Sequence, residues 1–157
     1  MDEVVSLVVE QGTRTHVFAV LNTLEFLRRS GRVSALVAAL GGWLKLKPLL
    51  LMHQGEASAV RVRTAQRAIG RLVHFLHEQQ PLEQLALVHT HATAQANRLR
   101  QQVSELVPPS GLLCTDITPV FGVHLGPGAI GFACVSARRA QNHARSAAKS
   151  RASLASS

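Results

Sequence analysis

Apolar and polar positions follow two alternating periods along this chain, and the switches between them outline a series of short elements. Residues Asp2 to Gln11 set acids in a first turn ahead of Val4, Val5, Leu7, Val8 and Val9. This pattern predicts a short helix ended by Gly12. VFAVL at 17–21 predicts a buried strand. Asn22 and Glu25 then have the spacing of a capping box for a helix carrying Leu24 and Leu27 and stopped at Ser30-Gly31. Ser34 is placed to cap a second helix with Leu36, Val37 and Leu40 on one face, broken at Gly41-Gly42.

Beyond that break the chain becomes extended, with Leu44, Leu46 and Pro48 alternating with lysines. Leu49 to Met52 predicts a buried strand, Gln54-Gly55 a turn, and Ala59 to Arg63 a second strand, together a hairpin. In that second strand Val60 and Val62 face away from Arg61 and Arg63. From Thr64 to Glu78, Ala65, Ala68, Ile69, Leu72, Val73 and Leu76 keep helical spacing, while Arg67, Arg71, His74 and His77 fall mostly outside that stripe. A strand is predicted over Leu85 to His89. A helix over Thr93 to Leu106 follows, with Ala96, Leu99, Val103 and Leu106 inward, stopped by Pro108-Pro109. Leu112 to Ile117 and Ala129 to Val135 read as two more strands joined through a Gly/Pro turn. Strands interleaved with helices, and a hairpin among them, predict an α/β two-layer sandwich with a mixed sheet.

Composition changes this picture little. At 157 residues with 46% hydrophobic residues the chain can bury one core, and with 4% aromatics that core is aliphatic. The net charge of +8 suggests nucleic acid. Five of the 17 basic residues, however, lie after residue 136 (Arg138, Arg139, Arg145, Lys149 and Arg151) with no acid among them. Removing them leaves 12 basic against 9 acidic residues, or +3. Two regions are therefore expected: a folded unit at 1–139 and a basic Ala/Ser-rich, disordered tail at 140–157. Base stacking has few aromatics to work with. Cys114 and Cys134 lack metal-ligand spacing, no signal peptide precedes the first helix, and no apolar run is long enough to span a bilayer. A reduced, cytoplasmic setting is the expectation.

Candidate chemistry centres on His124-Leu125-Gly126-Pro127-Gly128, where an ionisable side chain precedes two glycines that permit unusual dihedrals and close ligand approach. Read alone, this is either a binding turn or an ordinary strand-to-strand turn with an incidental histidine. His89 and His91 would share a strand face, yet no third metal ligand is evident, so no metal is expected. Nucleophile elbow, P-loop, dinucleotide glycine set and paired carboxylates are all absent, so an enzyme acting alone is not expected.

Four segments taken together carry more information: LNTLEFLRRSGRVS at 21–34, LGGWLKLKPLL at 40–50, VRVRTAQRAI at 60–69 and FGVHLGPGAIGF at 121–132. In this order they resemble the C-terminal lobe of the DegV family, with its TLEYL-x-x-GGR-I, LG-x-LL-x-IKP, K-x-R-x-x-x-x-A and H-x-GPGA-x-G patterns, over about Val17 to Val135. Departures are Ser30 for the first Gly of GGR, Gly42 and Trp43 in the second segment, and Leu125 where Val is usual.

The resemblance implies a bacterial-type lipid-binding protein that holds a long-chain fatty acid and presents its carboxylate to a separate fatty-acid kinase, without a cofactor of its own. It implies that His124 contacts the carboxylate, and that Arg32 and Arg63 face the kinase or a phosphate. It also implies that hydroxyl residues of an N-terminal lobe, absent from this sequence, complete the site. Leu36, Leu40, Trp43, Leu46 and Leu49 are candidate acyl-tunnel residues, although an ordinary core has the same composition. Two other readings stand beside this one. The chain is a truncated remnant without ligand function, or it is a basic module for nucleic acid or an acidic partner.

Overall fold

A computed structural model describes residues 2–31 and 47–138. The elements, in chain order, are α1 (Asp2–Arg14), β1 (Thr15–Val20), α2 (Glu25–Ser30), β2 (Lys47–His53), β3 (Glu56–Val62), α3 (Ala65–Glu78), β4 (Leu82–His89), α4 (Thr93–Gln102), a 3-10 turn (Ser104–Leu106), β5 (Leu112–Asp116), α5 (Pro119–Leu125) and β6 (Ile130–Ser136). The expected helix starting at Ser34 and the tail at 140–157 lie outside the described residues.

The strands form one six-stranded sheet in the order β3-β2-β1-β6-β4-β5. Every neighbouring pair is antiparallel except β4 and β5, which run parallel across α4. The sheet is therefore mixed, as the interleaved pattern predicted, and it packs as an α/β sandwich. The hairpin also forms. Gln54 (φ 51°) and Gly55 (φ 79°) both take left-handed backbone, so a two-residue turn sets the His53↔Glu56 register.

Alternation along the strands divides the sheet into two unlike faces. One face carries Phe18, Val20, Leu49, Val62, Leu85, Leu87, Ile130 and Phe132, covered by Ala68, Leu72 and Leu76 of α3 and Ala96 and Leu99 of α4. Thr64 caps α3 by accepting the Arg67 N–H at 3.2 Å. The other face presents Ala19, Ala59, Ala86, Gly131 and Ala133 along its middle. Among the described residues its leucine cluster sits at one end, where Leu21, Leu27 and Leu50 meet Leu24 and Leu125 from α2 and α5, while Val135 is buried at the other end.

Three expectations need correction. The first helix does not stop at Gly12. It runs on to Arg14, whose guanidinium anchors the last turn to the sheet by donating to Glu83 at 2.6 Å and to the Ser136 carbonyl at 2.8 Å. The α2 capping box does not form. Thr23 Oγ1, rather than Asn22, accepts the Glu25 N–H at 3.1 Å. The Glu25 carboxylate turns instead to Arg28 and Arg29, whose hydrogen bonds hold it below the usual carboxylate range. Finally, the link between β5 and β6 is more than a turn, because it contains α5 with Pro119 at its first position.

Candidate functional site

The register brings one end of every strand together. Val20 of β1 lies beside Ile130 of β6, which lies beside His89 of β4, itself beside Asp116 of β5. On the other side, Val20 pairs with Leu49, and Lys47 pairs with Val62. Asn22, Lys47, Arg63, Thr90, Asp116 and the Gly126–Gly128 loop all emerge at this edge. Segments far apart in sequence thus converge without any of them being individually distinctive.

Thr90 organises the loop. Its hydroxyl donates to the Gly126 carbonyl at 2.6 Å and accepts the Ala129 N–H at 2.8 Å. Its backbone N–H donates to the Ala129 carbonyl (2.9 Å), and its carbonyl accepts the Gly128 N–H (2.7 Å). The residue is 2% exposed, so all four bonds are shielded from water. From the other side, Asn22 Nδ2 donates to the Pro127 carbonyl at 3.0 Å, while its Oδ1 accepts from Lys47 Nζ at 3.1 Å. Gly126 (φ 75°) and Gly128 (φ 78°) fit here for two reasons. Both have left-handed backbone, and a Cβ at Gly126 would fall on the Phe26 ring, while one at Gly128 would fall on the Asn22 amide.

His124 occupies the last turn of α5, directly before this fixed loop. Its Nδ1 is buried and has no hydrogen-bond partner among the described residues. A buried ring nitrogen left open beside a rigid loop is suited to a ligand oxygen. Val120, Phe121 and Val123 of the same helix are exposed, Phe121 at 63%.

Arg63 is exposed just after β3 and makes no hydrogen bond or ion pair with a described residue. Leu49 is fully buried in the main core, whereas its neighbour Leu50 turns to the α2/α5 end of the other face. Arg32, Leu36, Leu40, Trp43 and Leu46 lie outside the described residues. His89 and His91 separate. The strand ends at His89, which is buried with Nδ1 3.7 Å from Asp116 Oδ1, and His91 leaves it at φ 50°, its N–H donating to that same carboxylate. No group of three or more metal-ligating side chains occurs among the described residues. No described helix is long and apolar enough to cross a membrane. Burial pushes the Cys134 thiol up to about 12, which leaves it unreactive.

Sequence reading missed Thr90 and the bridging role of Asn22. The only local hint was the polar Thr90 directly following the apolar run of β4, since both roles depend on partners 25 or more residues away.

The described residues form a mixed α/β lobe in which a histidine is held against a stapled Gly-Pro-Gly loop. Residues 1–137 match the family described as uncharacterised proteins of the DegV type, and the chain belongs to the DegV family. A DegV domain-containing protein of Streptomyces coelicolor is 33% identical over 136 residues, covering 83% of this chain and 48% of the relative. One from Mycobacterium tuberculosis is 35% identical over 137 residues, again covering 83% and 48%. A fatty acid binding DegV family protein from Streptococcus agalactiae superposes with a TM-score of 0.78 at 27% identity, covering 88% of this chain and 50% of that one. A Thermus thermophilus DegV family protein, described for its fatty acid binding, gives 0.70 at 31% identity, covering 86% and 50%. The chain spans about half the length of the relatives it matches.

Proposed function

We propose that this chain is the lobe of a fatty-acid carrier that receives the acyl chain and one side of the carboxylate, and that the loaded carrier presents that carboxylate to a fatty-acid kinase. The observation that carries the reading is the open, buried Nδ1 of His124 beside the Gly126–Gly128 loop. Burying a carboxylate requires donors to offset its lost hydration, and a histidine N–H is one. The acyl chain would lie on the small-residue face, where Ala19, Gly131 and Ala133 leave room beside the sheet, with Leu50 at its α2/α5 end.

A second lobe would supply the remaining donors. Two features support this: the half-length match to relatives, and the outward aliphatic residues of α1, Val4, Val5, Leu7, Val8 and Val9, all at least half exposed. Arg63, exposed at the site edge, is placed to meet a kinase-bound phosphate or acidic surface.

The test is lipid extraction and mass spectrometry of the purified chain, alone and mixed with the complementary half of the Streptococcus agalactiae relative. Oleate should be retained by the mixture and lost about tenfold or more with His124→Ala, the scale of one charge-assisted hydrogen bond. With purified fatty-acid kinase, Arg63→Ala should slow acyl-phosphate formation while leaving retention unchanged. A mixture that never retains fatty acid, or His124→Ala retaining it fully, would reject the reading.

A further inference from the structure

The covered face of the sheet holds a cavity of ≈ 420 Å³, on the side away from α5, which Gly128 of the loop and Asn22 border at one end. It opens between α3 and α4, which line it with one helical stripe each: Gln66, Ile69 and Gly70 from the first, and Gln95, Arg98, Leu99 and Gln102 from the second. Gly70 lies exposed at its mouth, on the same stripe as Gln66 and Ile69. A Cβ built there meets nothing within 4 Å.

The lining divides by chemistry. Its floor is aliphatic, made by Val20 and Ile130 of the sheet with Leu99 and Ile69. Its rim is polar and wholly neutral or positive, with Lys47 and Arg98 as cations and no acid among the described lining residues. Lys47 is held at the rim by Asn22, whose Oδ1 accepts from the ammonium at 3.1 Å. Arg98, Gln66, Gln95 and Gln102 make no hydrogen bond or ion pair with any described residue, so their donors and acceptors are open to a guest.

We propose that this cavity binds a nucleotide of the size of ADP, independently of the fatty-acid reading. Two cations without a neighbouring acid suit a phosphate, and the guanidinium of Arg98 can grip two of its oxygens at once. The amides carry both donors and acceptors, matching the edge of a heterocyclic base, while the aliphatic floor supports its flat face. A simple inorganic anion would leave the floor and the amides unused, and a fatty acid would leave the amides unpaired.

Calorimetric titration of ADP and of inorganic phosphate into the full 157-residue chain tests this, with NMR amide shifts locating the site. ADP should bind at one site, more tightly than phosphate, and shift Gln66, Gly70 and Gln95. Arg98→Glu should weaken it about tenfold or more. Gly70→Leu should abolish binding while leaving the fold at least as heat-resistant, because the new side chain enters open space and improves helix propensity. No ADP binding at millimolar concentration would overturn the proposal. So would affinity unchanged in both variants, phosphate binding as tightly as ADP, or shifts confined to the basic residues after 138. Oleate retention, measured separately, is expected to be unaffected by Gly70→Leu, so failure here and failure of the carrier reading are distinguishable.

Discussion

The two faces of one sheet are built from the same strands, residue by alternate residue, yet they are used in opposite ways. On the face beneath α3 and α4, Phe18, Leu49, Leu85, Leu87 and Phe132 interdigitate with fully buried leucines of the helices. On the other, Ala19, Ala59, Ala86, Gly131 and Ala133 form a shallow strip, and leucines gather beneath α2 and α5. Apart from the cavity over Val20 and Ile130, the large buried side chains lie on the first face, so stability is concentrated there. The second gives up apolar contact area for room, and its polar loop is fixed by hydrogen bonds instead.

The sharpest way to break this comparison is to truncate one side chain on each face. Leu72→Ala should cost about 2–5 kcal/mol, read as a lower urea midpoint at unchanged slope, because it removes apolar contacts and leaves a void where a fully buried side chain stood. Loss of much less than this would mean that the α3 face is not the main core.

At the loop end of the second face, Thr90→Val is expected to cost about 1–3 kcal/mol, since the isosteric change leaves the Gly126 carbonyl and the Ala129 N–H buried without partners. Gly128→Ala should fall in a similar range, from left-handed backbone plus the collision with Asn22. Both variants should lose oleate retention in proportion to loop disorder, visible as accelerated amide hydrogen exchange at 126–129. Retention undiminished with the loop loosened would separate the loop from the ligand.

Ala133→Leu should change stability by less than about 1.5 kcal/mol yet exclude the acyl chain, because the position is half-buried and has room that a core position lacks. A loss as large as that of Leu72→Ala would show that both faces are equally close-packed.

The smallest expected effect lies at the far end of the covered face, where His16 and His53 stack with ring centroids 4.0 Å apart across β1 and β2. Burial first, and then repulsion from His53, lowers the His16 pKa below its ordinary 6.5. The unfolded chain therefore binds the proton more tightly than the folded one. Stability from this pair is fully present above pH 6.5 and is lost as pH falls from there through the lowered folded value. Urea midpoints measured across pH 7 to 5 should show that decline, and His53→Gln should reduce it only in part, because burial, the larger cause, remains.

Much of the covered face was legible in the sequence. The spacing of Ala68, Leu72 and Leu76 locates α3, and Leu85-Leu87 and Leu49 locate the strands beneath it, because large aliphatics at fixed periods have one economical way to be buried. The second face was less legible. Alanine and glycine carry little periodic signal, and α5 was hidden in an apolar segment, PVFGVHL, whose one useful sign was its leading proline.

By itself the sequence determined the class of fold, the α3 helix, the Gln54-Gly55 hairpin and, through four ordered motifs, the DegV family with His124 as its candidate residue. These depend on local periodicity, on backbone dihedrals that few residues tolerate, and on motif order, all of which are written along the chain. The tertiary structure alone decided that Thr90 and Asn22 clamp the Gly126–Gly128 loop, that His124 ends a helix with a buried nitrogen left open, and that α3 and α4 leave a cavity between them over Val20 and Ile130. Each of these follows from which strand ends the sheet register places side by side, and that register is a property of the whole packed sheet rather than of any segment within it.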